Sequence, residues 1–104
     1  MVEEINTQKF DELLNGDKKV VCDFFATWCG PCKMLAPVME KVSEKYADKA
    51  VFVKVDIDEN MELAARYGIM SIPLVAVFEK GELKDKSLGY MSQSEAEEFL
   101  DSNL

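Results

Sequence analysis

Histidine does not occur in this chain, and that absence closes off several mechanisms at once. Ser-His-Asp hydrolysis, Cys-His proteolysis, histidine-bearing zinc sites and c-type haem attachment all require an imidazole. No apolar run approaches the roughly 20 residues needed to span a bilayer, so no membrane partner is expected. Basic residues are in deficit: twelve against twenty acidic ones give a net charge of −8, which disfavours nucleic acid and anionic lipid. The acidic start, Met1-Val2-Glu3-Glu4, lacks the positive and apolar regions of a secretory signal, and a cytoplasmic location is the resulting expectation. Three cysteines are too few for a four-thiolate zinc or iron–sulfur site, although carboxylates or a second chain could complete a weak one. No metal is expected.

What is present fits one domain over residues 1–104. Hydrophobic residues make up 48% and charged residues 31%, the composition of a folded protein. A chain of this size buries about two-thirds of its unfolded surface, enough for a core without disulfide staples. No linker, low-complexity tract or internal repeat divides it.

Thr7 is a candidate cap for a short helix carrying Phe10, Leu13 and Leu14, ended by Asn15-Gly16-Asp17. Val20 to Ala26 is an apolar run broken only by Asp23, which suits a strand covered on both faces. Leu35, Val38, Met39, Val42 and Tyr46 fall at spacings of three and four and predict a helix from Pro31, kinked at Pro37. Val51 to Ile57 reads as a second strand. Asp58 or Asn60 opens a third helix that closes on Gly68. Leu74 to Glu79, the Lys80-Gly81 turn and a run to Leu88 predict an antiparallel hairpin. Gly89 bends the chain, and Ser92-x-x-Glu95 is a capping box before a last helix. This order predicts an α/β sandwich with helices on both faces of the sheet.

Chemistry concentrates where the first apolar strand meets the second helix, at Cys29-Gly30-Pro31-Cys32. Cysteines at this spacing can close a disulfide across one helical turn, and a thiol at a helix N-terminus meets the positive end of the macrodipole, which favours thiolate. A four-residue loop makes a poor staple, worth about 2 kcal/mol in the chain-entropy expression against about 3 for fifteen residues. Redox use therefore outweighs a permanent crosslink or zinc ligation. Cys29 ends the loop and is assigned as an exposed nucleophile, Cys32 as the resolving thiol within the first turn. Pro31 suits the first helical position, and Gly30 allows a substrate backbone to approach.

Trp28-Cys29-Gly30-Pro31-Cys32, with Asp23 upstream, Lys54 in the second strand and Ile72-Pro73 after the third helix, resembles the thioredoxin family over essentially the whole chain. The resemblance implies a three-layer α/β sandwich with a mixed sheet of four to five strands and four helices. It also implies a protein disulfide reductase: the Cys29 thiolate attacks a target disulfide and Cys32 resolves the mixed disulfide. A thioredoxin reductase, carrying flavin and drawing on NADPH, would regenerate the dithiol, with no cofactor bound to this chain. Disulfide-containing proteins are the implied targets, and a monomer is expected.

Asp23 is costly to ionise inside an apolar strand, so its pKa should be raised. A buried acid of that kind can take the Cys32 proton, which is its role in the family; a hydrogen-bonding structural aspartate is the plainer reading. Lys54 interrupts its strand similarly and could pair with Asp23, or could snorkel from an exposed face. Trp28 is expected to shield the sulfurs and contact substrate rather than fill the core. Family members carry a cis proline at the position of Pro73, which would present the Ile72 backbone to a substrate strand; residue statistics alone favour trans. Ile57, Gly89 and Tyr90 are candidates for an apolar rim. Cys22, where the family carries an aliphatic residue, points opposite Asp23 by strand alternation and reads as inert. Phe25, Leu74 and Met70-Ser71 also depart from the family pattern. A glutaredoxin is the nearest enzymatic rival, separable by glutathione dependence, and a partner-binding protein with incidental thiols is the rival of another class.

Overall fold

The computed structural model describes residues 1–104. Its elements are β1 (Glu3–Glu4), α1 (Thr7–Leu14), β2 (Lys19–Phe25), α2 (Gly30–Lys45), β3 (Ala50–Asp56), α3 (Met61–Arg66), β4 (Leu74–Glu79), β5 (Glu82–Leu88) and α4 (Gln93–Asn103). They form one five-stranded sheet in the order β1-β3-β2-β4-β5. β1, β3 and β2 run parallel, while β4 and β5 are antiparallel to their neighbours. The mixed sheet and four helices match the expected sandwich, at the upper strand count.

Strand parity builds the two cores. Val21, Val75 and Val77 face one way and bury against Leu35, Met39 and Val42 of α2 and Leu100 of α4. Val20, Cys22, Phe24, Ala76 and Phe78 face the other way, against Phe10 of α1 and Leu63 of α3. β2 and β4 are covered on both sides, which is why Val20 to Ala26 shows no polar alternation. β5 is an exposed edge whose Lys84 and Lys86 discourage pairing with another chain.

Three boundary details differ from expectation. β1 was not legible, because two residues are too few for an alternation signal, and its apolar neighbours Val2 and Ile5 supply its burial. Asn6, not Thr7, caps α1: its Oδ1 accepts from the Lys9 N–H at 2.9 Å. The Thr7 N–H and hydroxyl instead donate to Asn60 Oδ1, which ties the start of α1 to the start of α3 and leaves α3 without a side-chain cap. The expected stops hold. Gly68 takes φ +62°, the Ile69 N–H reaches the Ala64 carbonyl at 2.9 Å and the Gly68 N–H reaches Ala65, a Schellman closure. Lys80 and Gly81 have φ of 55° and 80°, as a type I′ hairpin needs. Ser92 and Glu95 complete the capping box.

Candidate active site

β2 ends at Phe25, and Ala26-Thr27-Trp28 carries the chain to Cys29, the N-cap of α2. Its sulfur occupies the place that a capping oxygen holds in other helices, accepting from the Cys32 N–H at 3.2 Å. With Cys29 at the cap, Pro31 is the second helical residue rather than the first. Its missing N–H is still one that the helix could not use. Cys29 and Cys32 are joined as a disulfide with Cα atoms 5.2 Å apart.

The exposure expected to separate the two cysteines is not found: both are 5% exposed. Ala26 is buried with the pair, and Phe25, Ile57 and Ile72 pack against this cluster. What separates them is the direction each faces. Cys29 Sγ lies 4.0 Å from the Ile72 carbonyl oxygen, on the loop leading into β4. Cys32 lines a cavity of about 310 Å³ shared with Asp23, Phe25, Ala26, Thr27, Lys33, Ala36 and Lys54. Cys29 thus meets an approachable backbone, while Cys32 lines a cleft that it shares with the buried Asp23.

Asp23 is 3% exposed and lies in register with Lys54 on β3 and Val75 on β4. Its Oδ1 is buried without a hydrogen-bond partner. Burial pushes its pKa from 3.8 up to about 7, with the Lys54 charge pulling part of the way back. The expected pairing of Asp23 with Lys54 is therefore a field across adjacent strands. The two form no ion pair, and the Lys54 ammonium instead stands 5.6 Å from the centre of the Phe25 ring.

Trp28 is 69% exposed, and its indole N–H donates to Asp58 Oδ2 at 2.7 Å. Asp58, whose own N–H donates to Asp56 Oδ1, holds the ring over the loop and was not identified from sequence; thirty residues separate it from Trp28 and no local pattern joins them. Lys33 and Thr27 were missed likewise as cavity residues. The Ile72–Pro73 bond is cis. The Pro73 carbonyl accepts from the Gly89 N–H at 2.8 Å, and Gly89 has φ +97°. Gly89 and the half-exposed Tyr90 therefore follow β5 beside the proline loop, whereas Ile57 and Ile72 pack against the cluster that holds the two cysteines. A Cβ on Gly30 would meet open space, so the surface there is unobstructed.

Cys22 lies on the opposite face of β2, fully buried among Phe10, Phe24 and Leu63. Burial, with the Asp23 charge adding to it, pushes its thiol well above the ordinary range. Cys22 is thus sealed in the core, on the other side of β2 from the Cys29–Cys32 pair. The α2 terminus carries a vicinal pair built to open and close.

Sequence comparison agrees with this geometry. The thioredoxin family model matches residues 1–102. The chain belongs to the thioredoxin family. It is 45% identical to the thioredoxin of Staphylococcus haemolyticus over 101 residues, 97% of this chain and 96% of the relative. It is also 45% identical to the thioredoxin of Bacillus subtilis over 85 residues, 82% of each. A solved structure of Plasmodium falciparum thioredoxin superposes with a TM-score of 0.91 at 36% identity, covering 99% of this chain and all of that one. Thiol–disulfide exchange, the chemistry of thioredoxins, is the activity of this fold and its Cys29–Cys32 pair. No helix of the chain is long and apolar enough to cross a membrane.

Proposed function

We propose that this thioredoxin-family oxidoreductase works in the reducing direction, with Cys29 as the attacking thiol and Cys32 as the resolving one. The observation that carries the reading is the division between the sulfurs, one beside the Ile72 carbonyl and the other in the Asp23 cavity. In the reduced state the Cys32 N–H and the α2 dipole stabilise a thiolate at Cys29. A hydrogen bond to a charged group contributes about 1.5–3 kcal/mol and the dipole about 0.3–1 kcal/mol.

The Cys29 thiolate attacks a client disulfide. A bond forms between Cys29 and one client sulfur, the client's own S–S bond breaks, and its second sulfur leaves as a thiolate that takes a proton from water. The client segment lies extended beside Ile72 and donates an N–H to its carbonyl, as an added strand would. Cys32 then passes its proton to Asp23 through the shared cavity and attacks Cys29. The Cys29–Cys32 bond forms, the mixed disulfide breaks, and the client's remaining sulfur leaves and is protonated. Two electrons have moved to the client. An acid titrating near 7 suits a proton that must be taken up and released at neutral pH. A flavin-bearing thioredoxin reductase drawing on NADPH returns the electrons, and the cytoplasm is the expected compartment, as the family resemblance suggests. Trp28, Gly30 and Pro31 shape the approach to Cys29, Lys54 tunes Asp23, and Ile57, Ile72, Pro73, Gly89 and Tyr90 form the client-facing rim.

Insulin reduction driven by dithiothreitol tests the assignment: the wild type is expected to catalyse it and Cys29→Ser to be inactive. Cys32→Ser should accumulate mixed disulfides with clients, because the resolving step is missing. Full activity in Cys29→Ser, or trapping by Cys29→Ser in place of Cys32→Ser, would reverse the roles.

A further inference from the structure

The loop that brings the Ile72 carbonyl to the disulfide carries one large apolar side chain left outside the fold. Met70 stands two residues before Ile72 and is 95% exposed, more than any other large apolar residue of the chain. Its neighbours Ile69 and Ile72 turn inward and pack on the core. In a chain of which 31% is charged, no charged residue occurs from Tyr67 to Phe78, so the surface beside Met70 on this loop is neutral.

Single exposed apolar residues need no explanation, and position is what makes this one informative. A client must bring a sulfur to Cys29, 4.0 Å from the Ile72 carbonyl, so the residues flanking its cysteine cross this loop. An extended segment advances about 3.3 Å per residue, and two residues of loop span at most about 7 Å. The loop bends at Ser71 and Ile72, so Met70 stands closer than that limit, and a client side chain two positions from the attacked cysteine is within reach of its thioether. The unbranched, polarisable thioether adapts to aliphatic or aromatic shapes and offers nothing to a polar one.

We propose that Met70 is a specificity-determining residue, receiving an apolar side chain two positions from the reacting cysteine of an extended client segment. This rests on the disulfide-reductase reading and adds to it which clients are preferred. The occupant is a client strand that continues the surface onto which every substrate sulfur must come.

The test uses two single-cysteine peptides, each as its symmetric disulfide, identical except for leucine or serine two positions on either side of the cysteine. With dithiothreitol recycling the protein, the wild type is expected to favour the leucine peptide about tenfold in kcat/KM, which corresponds to about 1.4 kcal/mol. Met70→Ala should lower that ratio to roughly a third of its value, and Met70→Arg should bring it close to one. Hydroxyethyl disulfide, which has no flanking residues, should be reduced equally by all three proteins. A leucine-to-serine ratio unchanged in Met70→Arg overturns the proposal. So does a wild-type dimer, seen by sedimentation, that Met70→Arg dissolves, because a second copy would then be the occupant. Failure of the wild type to reduce insulin would strike at the reductase reading itself.

Discussion

Replacing Asp23 by asparagine removes one titration from the interior while nearly preserving the side chain's shape. The carboxyl is 3% exposed, has an unpartnered Oδ1, and has its pKa raised by burial from 3.8 to about 7. The unfolded chain therefore releases this proton near pH 4 and the folded chain near pH 7. Between those values the native state holds the proton that the unfolded state has lost, so stability falls as pH rises. The contribution is fully present below about pH 4 and is gone above about pH 7. At 1.36 kcal/mol per pKa unit the whole shift is worth about 4 kcal/mol, and about 2–3 kcal/mol of it falls between pH 5 and pH 8. Urea denaturation of the oxidised wild type and Asp23→Asn at those two pH values isolates the effect, since every other group titrates alike in both. With m of about 1–3 kcal/mol/M, the gap between their midpoints should widen by about 1–2.5 M at pH 8, in favour of the variant. Parallel stability profiles would show that the carboxyl is not perturbed, and the proton-acceptor role of Asp23 would lose its physical basis.

Lys54→Met removes the positive charge that holds Asp23 down, so the Asp23 titration, followed by carboxyl carbon NMR, should move to higher pH than in the wild type. A downward or absent shift would show that the field across β2 and β3 does not reach the carboxyl. Gly68→Ala places a Cβ in a left-handed residue with open space around it, so the effect is conformational only, a destabilisation of about 1 kcal/mol. Calorimetry should show a fall in Tm of about 4–8 °C. An unchanged Tm would mean that the Schellman closure of α3 does not need glycine.

The elements with strong periodicity or a named punctuation mark were legible. Val20 to Ala26 announced a doubly covered strand, and Lys80-Gly81 announced a hairpin turn, because the physical cause of each lies within a few residues. β1 and the α1 cap were not, since β1 is held by its pairing to Val53 and Lys54 and Thr7 is claimed by Asn60, fifty-three residues away. The site divides the same way. Cys29, Cys32 and Asp23 stand out as chemistry in the wrong company, a reactive pair at a helix start and a carboxylate in a core strand. Asp58, Lys33 and Thr27 look like ordinary surface residues, and only the fold brings them to the indole or the cavity. The equal burial of the two cysteines was also beyond the sequence, because Ile57 and Ile72, which pack on the cluster that holds them, come from distant loops.

Strand parity explains how one chain keeps a reactive pair and a third thiol apart. Asp23 shares a face of β2 with Val21, toward α2 and α4, while Cys22 shares the other with Val20 and Phe24, toward α1 and α3. A one-residue slip would exchange them, carrying Cys22 to the cavity beside Cys32 and the carboxyl into a wholly apolar layer. The register is held on both sides, by seven paired positions with β3 and five with β4. Stability alone would place an aliphatic residue at position 23, because an ionisation penalty of about 4 kcal/mol is a large share of the 5–15 kcal/mol typical of a domain. The penalty falls on one protonation state of one residue, and that residue lines the same cavity as Cys32. In the mechanism we propose, a proton arriving from Cys32 relieves it, so the energy that destabilises the charged protein also favours the transfer from the thiol.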